Sequence, residues 1–229
     1  MKPGIYFLSF FYALVFSAVL FFNGCSDTNT GPVSDNIEVG YRGSPDNSAT
    51  DGIFQLDSVK VLVRDIKLGT AMGVYNNFRF GPYILYINLN SNGIARISNT
   101  YMGPGAYSSA SLDIYQLGVG ESVGDPDFVD ANGRYSIVAK GTYNGTAFTY
   151  KSTANANLIL NLPTAIDLAA TSMTYLTLRV SPYGWFLSGG TYLDPMNAVN
   201  DAMINSNIQT NINNSLRIYR DTNRDGEPD

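Results

Sequence analysis

The most specific chemical pattern in the sequence lies in its last residues. Oxygen-bearing side chains recur there at regular spacing: Asp221, Asn223, Asp225 and Asp229, with Gly226 after the third. This spacing matches the first three-quarters of an EF-hand-type loop, in which alternate side chains turn inward to give calcium its oxygen ligands. The printed sequence stops before position 12, where such loops carry a bidentate acid. We expect these four oxygen-bearing residues to bind calcium weakly, and a solvated acidic tail is the alternative.

A second group of acidic residues occurs in a segment rich in turn-forming residues. Asp125, Asp127 and Asp130 precede Asn132-Gly133. These residues could bind calcium or transfer protons, but Asp, Asn and Gly are also what ordinary turns use, and we favour an ordinary loop. A glycoside hydrolase needs two carboxylates at a fixed distance, and Asp113 in a predicted strand is the other candidate. An envelope glycoside hydrolase with paired carboxylates is therefore the enzyme alternative.

The residues that the sequence lacks exclude several kinds of active site. It contains no histidine, and its one cysteine is the predicted lipid attachment site described below. Ser-His-Asp and Cys-His pairs and zinc sites built on those residues are therefore excluded. Lys140 and Lys151 lie near Ser136 and Ser152 without a recognisable Ser-Lys motif. We assign no catalytic residue and favour a protein that is not an enzyme.

Aromatic residues gather beside Gly and Pro near the end of the predicted strands. Tyr183 and Trp185 flank Gly184, and Pro182 precedes Tyr183. Exposed rings at such a turn could stack on sugars, whereas rings buried in a β-sandwich would fill its core. We favour burial on general grounds and keep Tyr183 and Trp185 as the candidate ligand-binding residues.

The N-terminal residues have the pattern of an export signal. Lys2 is followed by an uncharged, almost wholly apolar run over 5–22, and Gly24 precedes Cys25. A positive start and an apolar run indicate a secretory signal, and a small residue before the single cysteine resembles a bacterial lipobox. We predict a signal peptide over 1–24 and a lipid on Cys25. A membrane-spanning helix over the same run is the alternative.

Charge and the residue after the cysteine indicate where the mature chain resides. The chain has 14 Lys and Arg against 19 Asp and Glu, a net charge of −5, which disfavours nucleic acid as a partner because phosphate contacts need cations. Acyl chains on Cys25 would hold the protein to a membrane. Ser26 follows where an Asp would favour inner-membrane retention, so we expect the cell envelope and, by analogy, the outer membrane.

Apolar periodicity divides the rest of the chain into three parts. Residues 25–52 are rich in Ser, Asp, Asn and Gly and are interpreted as a tether, with a short strand possible at 37–41. Residues 53–193 alternate apolar and polar side chains and include Asn144-Gly145, a type I′ hairpin signal. Residues 194–229 contain a predicted helix over 195–213, capped by Asp194, then a possible short strand at Leu216 and Ile218, and the acidic tail. The helix is predicted from one apolar face whose residues are mostly three or four apart: Met196, Val199, Met203, Ile204, Ile208 and Ile212. The predicted fold is mostly β: an antiparallel β-sandwich with one C-terminal helix.

One stretch of the sequence is similar to a known class of domain. The strand over 56–68, and Gly103-Pro104-Gly105-Ala106-Tyr107 leading into 112–114, resemble the transthyretin-like (prealbumin-like) β-sandwich domains of uncharacterised bacterial surface lipoproteins. The resemblance covers about 53–180 and extends distantly to fimbrillin-type lipoproteins, whose sandwiches assemble into pili. It implies a fold and a surface location, and it implies no catalytic residues.

These observations favour a lipid-anchored protein of the cell envelope that acts as a non-enzymatic binding or assembly module stabilised by calcium. Its expected partners are the membrane, through the lipid, and a glycan or protein at the cell surface. The alternatives are the envelope glycoside hydrolase and a fimbrial or other structural subunit. A fimbrial subunit would need an unpaired strand edge that accepts a donor strand.

Overall fold

Alternating apolar residues build fifteen strands in the computed structural model, which describes residues 34–44 and 52–229. The described residues belong to one unit, Ser34–Asp229. The predicted signal peptide and Cys25 lie outside them. The strands are β1 (Ile37–Gly43), β2 (Phe54–Thr70), β3 (Tyr75–Arg79), β4 (Tyr83–Asn88), β5 (Ala95–Thr100), β6 (Gly105–Ile114), β7 (Val129–Asp130), β8 (Gly133–Arg134), β9 (Ile137–Tyr143), β10 (Thr146–Ser152), β11 (Ala156–Leu168), β12 (Thr174–Val180), β13 (Leu187–Ser188), β14 (Thr191–Tyr192) and β15 (Leu216–Arg220).

Two sheets form the sandwich, which confirms the predicted fold class. The smaller sheet, sheet A, has the order β15-β12-β1-β5. In the larger one, sheet B, hydrogen-bonded pairs connect β10 to β9, β9 to β2, β2 to β6 and β6 to β11, and β3 and β4 also pair with β2. All pairs in the two sheets are antiparallel except β1 with β12. The pairs β7–β8 and β13–β14 are two-residue hairpins.

Strand β2 runs through both halves of sheet B. Its first half pairs with β9 and β4, and its second half pairs with β6 and β3. At Leu62 the backbone N–H donates to the Ser136 carbonyl, and the carbonyl accepts from the Tyr115 N–H. Because the N–H and C=O of one strand residue point to the same edge, the partner on that edge changes from β9 to β6 at Leu62.

Both sheets contribute to one core. Val39 and Leu178 from sheet A and Val61 and Leu112 from sheet B belong to the same buried cluster. A smaller cluster lies on the other face of sheet B, where side chains alternate outward. It consists of Leu62, Tyr115, Leu117, Phe128 and Val138.

The predicted hairpin turn is confirmed at Asn144-Gly145, between β9 and β10. The two residues have φ angles of 49° and 74°, and a type I′ turn requires φ above zero at both positions. Asn tolerates this conformation better than other side chains, and Gly adopts it without steric cost.

The single helix of the described part, α1, spans Ala198–Ser215, later than predicted. Asn197, rather than Asp194, caps it by accepting a hydrogen bond from the Val199 N–H. Its buried side chains include Ile204, Ile208 and Ile212, spaced by four residues as a single packed stripe requires. The other apolar positions of the predicted face are exposed: Met196, Val199 and Met203. No helix in residues 34–44 and 52–229 is long and apolar enough to cross a membrane.

Two of the predicted boundaries differ from the structure. The segment assigned to the tether contains β1, which lies in the middle of sheet A between β12 and β5. The segment assigned to a separate helix and tail contains β15, which pairs with β12. The folded unit therefore begins at Ser34, and the C-terminal residues belong to the sandwich. The local pattern indicated a short strand at 37–41 and another at Leu216 and Ile218. It could not show that these strands join the sandwich, because pairing between strands distant in sequence decides that.

Candidate functional site

The C-terminal tail folds over the outer face of sheet A and is anchored by Asp221. The Asp221 side chain is fully buried. Its carboxylate accepts hydrogen bonds from the Thr177 hydroxyl at 2.7 Å and from the backbone N–H groups of Asp225 at 3.1 Å and Gly226 at 3.0 Å. The buried carboxylate thus has three hydrogen-bond donors, two from the backbone of its own turn and one from β12, as buried polar atoms require.

Arginines of sheet A provide the positive charge that faces the tail. The Arg42 side chain, which is 8% exposed, donates to the Asp225 carbonyl and lies 3.6 Å from the Glu227 carboxylate. Arg179 on the neighbouring strand donates to the same carboxylate at 3.1 Å. A charge as buried as that of Arg42 is stable when it is paired and hydrogen-bonded. The two guanidinium groups therefore hold the Asp225 carbonyl and the Glu227 carboxylate of the tail against sheet A.

Close packing fixes the turn at Gly226. This residue has φ of 84°, and a Cβ added to it would lie 2.1 Å from an Arg42 nitrogen, so a larger residue would both strain the backbone and displace the arginine. The Tyr219 hydroxyl donates to the Gly226 carbonyl at 2.5 Å. On the outer side of the tail, Arg224 forms an ion pair with Glu38 at 2.7 Å.

The other predicted calcium ligands are exposed and bond to neighbouring groups of the tail. Asp225 accepts from the Asn223 amide and from the Glu227 N–H, and Asp229 accepts from the Thr222 N–H. Within the described ranges, no three residues of the types His, Cys, Asp and Glu lie close enough together to hold a metal ion. Calcium binding by the tail stays a prediction, and a bound ion would have to replace backbone donors that the Asp221 carboxylate already has.

The second acidic segment is clamped to the outer face of sheet B by lysines. Lys60 on β2 donates to Asp125 at 2.6 Å and to Asp127 at 2.7 Å, and Lys140 on β9 also donates to Asp127 at 2.7 Å. Hydrogen bonds from Lys140 and Lys60 hold the pKa of the Asp127 carboxyl below its usual value. Lys151 on β10 donates to Asp130 and, with the Asn132 N–H, lowers the pKa of that carboxyl to about 2.

These ion pairs bear on the hydrolase alternative. A general acid needs a carboxyl whose pKa is raised toward neutrality, and the carboxyls of Asp127 and Asp130 are shifted in the opposite direction. Asp113, the other candidate, lies 3.8 Å from Arg64. The arrangement holds a loop against a sheet.

The two candidate aromatic residues occupy different environments. The Trp185 ring is fully buried, and its indole N–H donates to the Ser215 hydroxyl at 2.8 Å. The favoured expectation of burial is confirmed for Trp185, because the turn at Tyr183–Phe186 packs inward against α1. The alternative, an exposed Trp185 ring that binds a ligand, is therefore wrong. Tyr183 is partly buried, meets the Phe54 ring edge-on, and belongs to the border of the same core.

An open groove, which the sequence did not indicate, lies where the two sheets meet. It has a volume of about 570 Å³. Its walls are the edge strands β11 and β15 of the two sheets, with the end of α1 and part of the tail between them. The lining side chains include Ile159, Asn161, Arg179, Asn214, Arg217 and Glu227.

Arg217 is the cation of this groove that is available to a ligand. Its side chain is exposed and has no ion-pair or hydrogen-bond partner among the described residues, whereas Arg179 is held by Glu227. Ile159 on the facing strand is 55% exposed. An unpaired guanidinium opposite an exposed aliphatic side chain suits a partner that presents a carboxylate or phosphate beside an apolar surface.

Both strand edges at the groove are blunted. Strand β11 contains Pro163, which has no N–H to donate, and its pairing shifts between Asn161 and Ile166. The Asp229 N–H donates to the Arg220 carbonyl and covers one end of β15. Prolines and bulges of this kind disfavour the addition of another strand. The groove is thus better suited to recognition by side chains than to strand addition, which counts against the fimbrial alternative at this edge.

Comparisons with known proteins give one distant structural likeness to report. No protein-family model matches the sequence, and no curated protein matches it as a relative. Among solved structures, the chain is similar to MbnP from Methylosinus trichosporium, with 12% sequence identity, 74% of this chain and 82% of that chain covered, and a TM-score of 0.40. A likeness this remote assigns no function.

Replacing Asp221 should release the tail, and replacing Asp225 should not. Asp221→Ala leaves two buried donors, the Thr177 hydroxyl and the Gly226 N–H, without an acceptor, which costs about 2–4 kcal/mol of unfolding free energy. Asp225→Ala removes an exposed carboxylate and costs about 0.5 kcal/mol or less. Trypsin should cut the Asp221→Ala variant faster at Arg224, as measured by mass spectrometry. Equal proteolysis of the two variants would contradict the anchoring role and favour a shared role in binding a metal.

The clamp on Asp127 predicts a pH-dependent stability difference. A carboxyl whose pKa is lowered by folding contributes stability above its unfolded pKa, and that contribution is lost as pH falls through the folded pKa. Asp127→Asn should therefore be less stable than the wild type at pH 7, and the difference should shrink below about pH 4. Urea unfolding of both proteins at pH 7 and below about pH 4 measures this difference in unfolding free energy. An equal difference in unfolding free energy at the two pH values would show that the ion pairs of Asp127 do not stabilise the fold.

Proposed function

We propose that this protein is a lipid-anchored component of the cell envelope whose β-sandwich is a non-enzymatic binding or assembly module. The observation that carries the binding role is the open groove between β11 and β15, with the unpaired Arg217 on one wall and the exposed Ile159 on the other. The export pattern and Cys25 support the anchor and the location, for which we propose the outer membrane.

The partner we propose for the groove is an acidic glycan or protein segment at the cell surface. Asn161, Asn213 and Asn214 supply amide donors and acceptors beside Arg217, and amides of this kind pair with hydroxyl or peptide groups. The guanidinium supplies the charge that selects an acidic group. Calcium has a separate role in this proposal: an ion bound by the tail would stabilise one wall of the groove, because Glu227 and Pro228 belong to that wall.

The anchor is tested by the chemistry of Cys25. The wild-type chain, expressed in a bacterial host that acylates lipoproteins, should incorporate a labelled fatty acid and lose residues 1–24. Cys25→Ser should take up no label and keep the precursor mass, because the thiol is the acylated group. Mass spectrometry of both chains decides it. An unlabelled wild type with the mass of the full chain would instead support the membrane-spanning alternative.

The groove is tested by crosslinking from its apolar wall. A photoreactive amino acid at Ile159 should yield a product of discrete mass in intact envelopes, and Arg217→Gln should reduce that product about tenfold, as expected for the loss of a charged hydrogen bond. Arg96→Gln is the matched control, since Arg96 is 60% exposed on the other edge strand of sheet A. A product unaffected by Arg217→Gln, or equally reduced by Arg96→Gln, would contradict the assignment.

A further inference from the structure

One end of the sandwich is where the chain enters the folded unit. Ile37, at the start of β1, lies opposite Thr174 and Thr100. Three loops meet at this end: 101–104 between β5 and β6, 169–173 between β11 and β12, and 71–74 between β2 and β3. The third loop is placed beside the others because Thr70 pairs with Tyr107 near the start of β6. We call this the entry end.

Asn36 holds the entry end together. Its side chain is fully buried and donates to the carbonyls of Met102 at 2.9 Å and Ala169 at 3.0 Å, while its amide oxygen accepts from the Met102 N–H at 2.8 Å. One side chain thus joins two of the three loops to the residue that precedes β1. The incoming chain and the loops are therefore fixed with respect to each other.

The entry end displays apolar side chains to solvent. Met72 is 93% exposed and Val74 is 57% exposed, at the tip of the β2–β3 hairpin. The rings of Tyr75 and Tyr101 and the side chain of Met173 are exposed by more than a third. Exposed apolar side chains are ordinary when scattered, but a group of them on neighbouring loops marks an interaction surface.

The same loops contain no charged residue. Loops 71–74, 101–104 and 169–173 consist of apolar, small and hydroxyl-bearing residues, although 14% of the chain is charged. Asp35, which precedes Asn36, and Asp167, in β11, are outside the loops, and Asp35 accepts a hydrogen bond from the Asn99 amide. A surface without charges can enter the headgroup region of a bilayer without the cost of removing ions from water.

We propose that the entry end rests on the lipid bilayer, with the tips of the three loops inserted in its interfacial region. This inference rests on the proposed lipid anchor at Cys25. From Cys25 to Ser34 the chain reaches about 30 Å at full extension, so the anchor keeps the entry end near the membrane surface. Tyrosines prefer the level of the headgroups, and apolar tips between them bind more strongly as more of their area is buried.

Fluorescent probes on introduced cysteines test the contact in the full mature chain. Acylation blocks Cys25, so a polarity-sensitive probe reacts at Met72→Cys in one protein and, as the matched control, at Asn92→Cys in the exposed loop between β4 and β5. Both are reconstituted in vesicles of phosphatidylethanolamine and phosphatidylglycerol. The probe at 72 should emit at shorter wavelength and be quenched by nitroxides on the lipid chains. The probe at 92 should be quenched by iodide in the water, and salt should change neither result.

The outcomes separate the inference from the proposed function. A chain that carries no acyl group and does not float with the vesicles contradicts the anchor itself. A chain that floats while both probes stay accessible to iodide overturns the membrane contact alone. If the emission of the probe at 72 changes with the ratio of protein to lipid and is not quenched by the nitroxides, a second copy of the chain covers this surface. That result also overturns the membrane contact. Unchanged melting temperatures of the labelled proteins establish that the fold is intact.

Discussion

The backbone pairing of β2 is the constraint on which the rest of the structure depends. This strand is 17 residues long and largely buried, so its N–H and C=O groups need partners along both edges. No single strand of the described part satisfies either edge: β9 and β6 share one, and β4 and β3 share the other. The change of partner at Leu62 separates β6 from β9, and the segment between them must cross the outer face of sheet B. That crossing places Asp125 and Asp127 above Lys60.

Charge pairing then fixes the two acidic segments in similar ways. Each lies on the outer face of one sheet, and cations from neighbouring strands face it: Lys60 and Lys140 on sheet B, and Arg42 and Arg179 on sheet A. An alternating strand supplies such cations at no cost to the core, since every second side chain points outward. Pairs of this kind contribute modestly when exposed, but Arg42 is almost fully buried and would be costly to leave unpaired.

Local sequence patterns predicted the strands, one turn and the helix. The features that they did not predict depend on contacts between residues distant in sequence. Alternation predicted the strands, and Asn144-Gly145 predicted its turn, because both signals depend on a few neighbouring residues. The spacing of Ile204, Ile208 and Ile212 predicted a helix, but the spacing could not show that Val199 lies beyond the reach of the sandwich. Asp221 was predicted as a calcium ligand, and its carboxylate is buried in a tight loop, where it accepts hydrogen bonds from protein groups. Its partner Thr177 is distant in sequence, and so is Arg42, which donates to the Asp225 carbonyl of the same loop. Spacing alone therefore could not show that protein groups hold this loop. Arg42 had one available signal, its outward position in the alternation that begins at Ile37.

The proposed membrane contact and the proposed binding groove are compatible because they use different directions of the sandwich. Strand β15 runs from Leu216, opposite Val180, to Arg220, opposite Leu176, and the start of β12 lies beside Ile37 at the entry end. The groove is lined by residues up to Tyr219 of β15 and by the middle of β11, so it opens on the side of the sandwich and not at the entry end. A sandwich resting on its uncharged loops would therefore keep Arg217 in water. The membrane contact and the groove are separate surfaces, because loops form the ends of a sandwich and edge strands form its sides.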